Sequence, residues 1–260
     1  MMSETTDVLH TKDARLIHPM NMLVTGPSGS GKSTLVSQLL LRMPDMISVD
    51  FEYIVLFIGT AAKDNAIATT IGKMYGNSLT VVEVNKLYGG DKNMFKHKFP
   101  TDFFSYLNKE KNGCVIFDDL MTELADCDVL VNSFTKTTSK WNLSMIHLTQ
   151  NLFFRGSGKH SGDNSTVYRN SHYIVLFRSP VDSTMMNIVA KRISGAAYAR
   201  TASMFHQIAT KYRYILIDGR LDTPDELRFR SDIFGLKNGN IPYMRTFQLA
   251  AAEEKNHKKS

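Results

Sequence analysis

One segment constrains this chain more than any other: Gly26-Pro-Ser-Gly-Ser-Gly-Lys-Ser-Thr34. It follows the apolar run Asn21 to Val24, which reads as a strand. It leads into Lys32 to Arg42, which reads as a helix with Leu35, Leu39 and Leu40 on one face. Glycines at these points let the backbone wrap tightly, so that several N–H groups face one concave spot. The positive N-terminal end of the following helix faces the same spot. A strand, a glycine loop and a helix in this register form a cradle for phosphate. The spacing matches GxxxxGK[ST] at Gly26, Gly31, Lys32 and Ser33. The expected phosphate-binding set is therefore Gly26, Pro27, Ser28, Gly29, Ser30, Gly31, Lys32, Ser33 and Thr34. Lys32 is expected to reach the outer phosphates of ATP, and the Ser33 hydroxyl to ligate Mg²⁺.

The rest of the chain alternates short apolar runs with amphipathic stretches. Strands are expected at Tyr53 to Ile58, Leu79 to Val84, Cys114 to Phe117, Leu143 to Thr149, Tyr173 to Phe177 and Tyr214 to Ile217, with another at Leu227 to Arg230. Helices are expected at Asn65 to Tyr75, Thr101 to Lys109, Leu124 to Lys140, Ser183 to Arg192 and Ala196 to Lys211. Lys86 to Lys98 and Asn151 to Thr166 read as loops. This order implies an α/β fold, a mostly parallel sheet with helices on both faces. We divide the chain into an N-terminal extension (1–18), a P-loop ATPase domain (19–235) and a C-terminal tail (236–260).

A phosphate loop needs a metal partner on a neighbouring strand, and the run Cys-Val-Ile-Phe-Asp118-Asp119 supplies one. Asp118 is expected to hold Mg²⁺, and Asp119 to polarise the attacking water. The next strand ends His-Leu-Thr149-Gln150. In ATPases of the additional-strand type such a strand inserts between the loop strand and the acidic strand, so Gln150 is expected to touch the terminal phosphate. Arg155, Arg169 and Arg178 are candidates for a catalytic cation, often delivered by a neighbouring subunit. Any one of them alone is more often simply solvated. Arg169 is our choice.

The 260 residues carry a net charge of +6 and are 43% hydrophobic and 22% charged, which suits a globular domain. A basic balance permits contact with nucleic acid without requiring it. Lys86, Lys92, Lys96, His97 and Lys98 form one basic stretch, interleaved with Tyr88, Phe95 and Phe99. Arg155, Lys159, His160 and Arg169 form another. Either can track a DNA backbone without reading sequence, and either can be a plain solvated surface. The two cysteines, Cys114 and Cys127, have no metal-site spacing. No apolar run approaches the ~20 residues of a membrane span. The expected location is intracellular, neither secreted nor transmembrane.

Three further runs carry a family resemblance: Leu-Thr-Gln-Asn-Leu-Phe153, then His-Tyr-Ile-Val-Leu-Phe177 through Ser-Pro-Val-Asp182, and Ile-Leu-Ile-Asp218 with Thr-Pro-Asp-Glu-Leu-Arg228. With the phosphate loop and the acidic pair, they resemble the viral genome-packaging ATPases of the FtsK/HerA superfamily. That family occurs in poxvirus-like DNA viruses and Polinton-type transposons. The resemblance spans roughly residues 15 to 235. It implies a RecA-like core, a homo-oligomeric ring, ATP and Mg²⁺ as cofactors, and double-stranded DNA pumped into a preformed capsid. It also implies a capsid or portal-vertex partner, and a location in the host nucleus or cytoplasm at assembling virions. Where the family often has a basic residue after the proline of the strand-exit turn, this chain has Val181. Two other readings stay open: a P-loop phosphotransferase or kinase, and a non-motor ATP-dependent switch.

Overall fold

The computed structural model describes residues 14–59, 61–124, 128–153, 164–234 and 245–247. Among these, nine strands form one sheet: β1 (Asn21–Thr25), β2 (Tyr53–Ile58), β3 (Leu79–Glu83), β4 (Gly113–Asp118), β5 (Leu143–Thr149), β6 (Tyr173–Phe177), β7 (Tyr214–Asp218), β8 (Phe229–Ser231) and β9 (Arg245–Phe247). Their order is β3-β2-β4-β5-β1-β6-β7-β8-β9. The pairs from β3 across to β6 are parallel. The pairs from β6 outward to β9 are antiparallel. The sheet is mostly parallel, as expected, with an antiparallel flank.

The helices in chain order are α1 (Lys32–Leu41), α2 (Met43–Met46), α3 (Ala66–Tyr75), α4 (Lys92–Asp102), α5 (Met121–Leu124), α6 (Val129–Asn132), α7 (Thr138–Lys140), α8 (Asn164–Arg169), α9 (Thr184–Ser194) and α10 (Tyr198–Ile208). They cover both faces. Strand residues alternate between two cores, as the pleat requires. Leu23, Phe57, Val115, Phe117 and Met145 face α4, α9 and α10. Met22, Val24, Leu56, Ile116 and Ile146 face α1, α2 and α3.

Three element expectations are corrected. The basic stretch read as a loop contains α4. Asp91 caps this helix by accepting from the Asn93 and Met94 N–H groups. Phe95 and Phe99, one turn apart, are buried beneath it and stack at 4.5 Å. They are core residues. The expected helix over Thr101 to Lys109 is a 3-10 turn, Phe103–Tyr106. The helix expected over Leu124 to Lys140 is present from Val129 to Lys140, where α6 runs through a π turn at Ser133–Thr137 into α7 without a break, so only its start is corrected.

The chain ahead of β1 packs on the sheet. Leu16 is buried and bridges Ile47. Arg230 donates to the Ala14 carbonyl at 2.7 Å. No helix among the described residues is long and apolar enough to cross a membrane.

Candidate functional site

In a parallel sheet, loops leaving the C-terminal ends of neighbouring strands meet at one edge. Here that edge collects the ends of β1, β4 and β5. β5 lies between the other two, paired in parallel with both. The expected insertion is therefore present, and it puts the loop after β1 and Asp118-Asp119 after β4 on either side of Thr149-Gln150. A cleft of about 550 Å³ opens there.

The phosphate loop has the predicted form. Gly29 and Gly31 adopt φ of 73° and 106°, in the left-handed region that favours glycine. Gly26 is fixed by crowding, because a Cβ there would meet Phe177 Cβ at 2.5 Å and Ser30 Oγ at 2.8 Å. The Gly26 N–H donates to the Thr149 carbonyl at 3.3 Å, which ties the loop to β5. The Ser30 hydroxyl is buried with no partner. α1 starts at Lys32 behind Gly31, which offers no side-chain cap, so its first N–H groups face the cleft unpaired by a side chain. Unsatisfied donors around a concave glycine backbone fit a polyphosphate.

Lys32 donates from Nζ to the Gly26 and Pro27 carbonyls at 2.7 and 3.0 Å. Burial lowers its pKa, and the charges of Asp118 and Asp119 oppose that shift. The same carboxylates keep an ammonium favourable in a half-buried place. Asp118 is buried, which raises its pKa, while a hydrogen bond from Asn65 pulls the other way. The Ser33 hydroxyl and the Asp118 carboxylate both line the cleft. That hard-oxygen pair suits Mg²⁺, which takes few protein ligands and keeps several waters.

Asp119 is exposed and sits at φ 54°, a left-handed position unusual for a non-glycine residue. Gly59 makes room for it, since a Cβ there would stand 2.9 Å from the Asp119 carbonyl oxygen. Gln150 Nε2 donates to Asp119 Oδ1 at 3.3 Å. The structure thus brings Lys32, Ser33, Asp118, Asp119 and Gln150 together.

It does not bring Arg169 to them. Arg169 ends α8, just before β6, and the adjacent Asn170 carbonyl accepts from Asn21 at the start of β1. It therefore lies at the opposite edge of the sheet, which corrects our choice of cation within this protomer. Arg178 follows Phe177 and is exposed at the cleft edge. Arg155, Lys159 and His160 lie outside the described residues, as does Cys127.

Sequence reasoning missed Asn65. Its Oδ1 accepts from the Ile67 and Ala68 N–H groups and caps α3. Its Nδ2 donates to Asp118 Oδ2 at 2.8 Å. An Asn just before a helix signals a cap, but the contact with Asp118, 53 residues away in sequence, carries no local signal.

No family model matches the chain, and no curated protein sequence matches it. Among solved structures it is similar to EssC (ATPases 2 and 3) from Geobacillus thermodenitrificans, at 13% identity and a TM-score of 0.40, over 90% of this chain and 40% of that one. It thus spans less than half of that EssC chain. It is similar to a KaiC-like protein from Pyrococcus horikoshii OT3 at 12% identity and a TM-score of 0.44, over 88% and 90% of the two chains. It is also similar to the RadB recombinase at 14% identity and a TM-score of 0.38, over 61% and 74%. These are distant likenesses. The strand order and the loop described above make the fold that of a RecA-like P-loop NTPase of the additional-strand type.

Proposed function

We propose that this protein is a Mg²⁺-dependent ATPase that drives double-stranded DNA, as the genome-packaging motors it resembles do. The observation that carries the hydrolytic part is the insertion of β5, which sets Gln150 on the Asp119 carboxylate beside the phosphate loop. Bound nucleotide supplies a phosphoanhydride, and Mg²⁺ neutralises its charge. The rest falls to the chain. Lys32 and the uncapped start of α1 hold the phosphates. Ser33 and Asp118 hold the metal. Asp119 takes a proton from water, and Gln150, donating to Asp119, orients both.

Among the described residues that line the cleft, Lys32 is the one cation. We take a second cation for the transition state, worth ~10³ to 10⁵ in rate where present, to come from another subunit of a ring, as the resemblance implies, with Arg178 on the cleft edge as a candidate donor and Arg155 as another. The DNA part is supported by the motif resemblance and by α4. This helix leaves the cleft edge after the Val84–Gly90 turn and exposes Lys92, His97 and Lys98. Packaging into a capsid, with a portal-vertex partner, rests on the resemblance, as does a location at assembling virions. We keep the division into extension, ATPase domain and tail as part of this proposal.

Replacing Asp119 with Asn tests the hydrolytic assignment. The variant is expected to bind ATP with unchanged affinity and to lose turnover by about a hundredfold or more. Normal turnover in Asp119→Asn would remove Asp119 as the base.

A further inference from the structure

Beyond its phosphate end the cleft has a second wing, lined by Gln38, Tyr212, Tyr214 and Phe234. None of these has a role in the chemistry above. Gln38 lies five residues past Ser33 on α1, about 8 Å along the axis. That is comparable with the span of an α-phosphate and its ribose. The wing is therefore where the far end of a nucleotide arrives when its outer phosphates sit in the loop.

Two separate segments build it, and they are tied together. Arg213 pairs with Asp232 at 3.0 Å. The Ile233 N–H donates to the Tyr214 hydroxyl at 3.2 Å. Arg42, just past α1, donates to the Phe234 carbonyl at 2.8 Å and lies over its ring. These contacts hold the Phe234 segment between the Tyr212 turn and α1. Tyr212 itself is 63% exposed and sits at φ 61°, a left-handed position that bulky residues rarely take. Its turn therefore presents a large ring to the cleft mouth and does not bury it.

The wing also differs chemically from the phosphate end. The charged side chains among the described lining residues are Lys32, Asp64, Asp118 and Asp119, all on the loop side. The lining of the wing is aromatic rings and one amide, with Lys211 over one face of Tyr212, Arg42 over one face of Phe234, and the other face of each ring left for a ligand. Such a surface suits a flat, uncharged aromatic ring. Gln38 is the polar side chain that reaches it from α1, and an amide can both donate and accept.

We infer that this wing is the base subsite, where Tyr212 and Phe234 grip a purine by its faces and Gln38 meets its edge without choosing between adenine and guanine. The inference rests on the phosphate-loop reading, and the two can fail separately. The test is equilibrium binding of ATP, GTP and inorganic tripolyphosphate to the wild-type chain and to Tyr212→Gly, Tyr212→Phe and Lys32→Ala. Glycine accepts the left-handed turn, so Tyr212→Gly removes the ring without adding strain. It is expected to weaken ATP and GTP about tenfold and leave tripolyphosphate unchanged. Tyr212→Phe keeps the ring and is expected to bind as wild type does. ATP and GTP are expected to agree within about threefold. Unchanged ATP binding in Tyr212→Gly would overturn the subsite, as would equal losses of ATP and tripolyphosphate, or a preference between ATP and GTP above about a hundredfold. Tripolyphosphate that ignores Lys32→Ala would instead overturn the phosphate-loop reading, and the subsite with it.

Discussion

Asn65 does two things with one amide: it caps α3 and it holds Asp118. Asn65→Ala removes both and is expected to cost about 1–3 kcal/mol. Asn65→Ser keeps the cap, loses the Asp118 contact, and should fall between Asn65→Ala and wild type in urea midpoint. Equal midpoints for the two variants would show that the cap contributes nothing. His147 gives the pH prediction. It is buried, packs edge-on to Phe117, and has an Nδ1 without a partner; burial pushes its pKa down to about 4. The unfolded chain binds this proton near 6.5, whereas the folded chain resists it down to about 4. Stability is therefore complete above pH 6.5 and falls as pH drops through that window, by up to about 3 kcal/mol. His147→Leu is expected to flatten that limb in denaturant titrations at several pH values. An unchanged limb would place the proton elsewhere. Lys32, Ser33, Asp118, Asp119 and Gln150 were legible in the sequence because strand ends and a glycine loop fix them locally. Asn65 was not, because its partner is set by tertiary packing. Elementary topology speaks against Arg169 as the cation of its own cleft. β5 and β6 are both parallel to β1, so the chain must return to the opposite edge before β6 begins, and it carries Arg169 there.

At the scale of elements, the strands of the parallel half are close to where apolar runs placed them, because strands buried on both faces read as continuous hydrophobic sequence. α4 was hidden by its charges. Lys92, His97 and Lys98 mask the signal of two buried phenylalanines one turn apart, and Pro100 sits inside the helix. The antiparallel flank is bound by a different device. Arg230 on β8 is 2% exposed and donates to Asp218 at the end of β7 at 2.7 Å, as well as to Ala14. A buried ion pair of this kind adds little over apolar packing, but breaking it strands a charge. Arg230→Met is expected to cost about 3 kcal/mol or more. Combining it with Asp218→Leu should recover part of that loss. The check is the denaturation midpoint, and a double variant less stable than Arg230→Met would contradict the stranded-charge explanation.

For the whole molecule, the proposed ring assigns a neighbouring subunit the second cation, since Lys32 is the one cation among the described residues that line the cleft. In the proposed motor, the basic helix α4, which exposes Lys92, His97 and Lys98, is the surface assigned to DNA. Contact through lysines and a histidine is electrostatic and fades as salt rises. The most direct test measures ATP hydrolysis with and without long double-stranded DNA, at low and moderate salt, beside Asp119→Asn. A DNA motor predicts turnover that DNA stimulates, stimulation that weakens with salt, and neither in the variant. Steady ATP turnover indifferent to DNA at both salt concentrations would contradict it and point to a phosphotransferase or a switch.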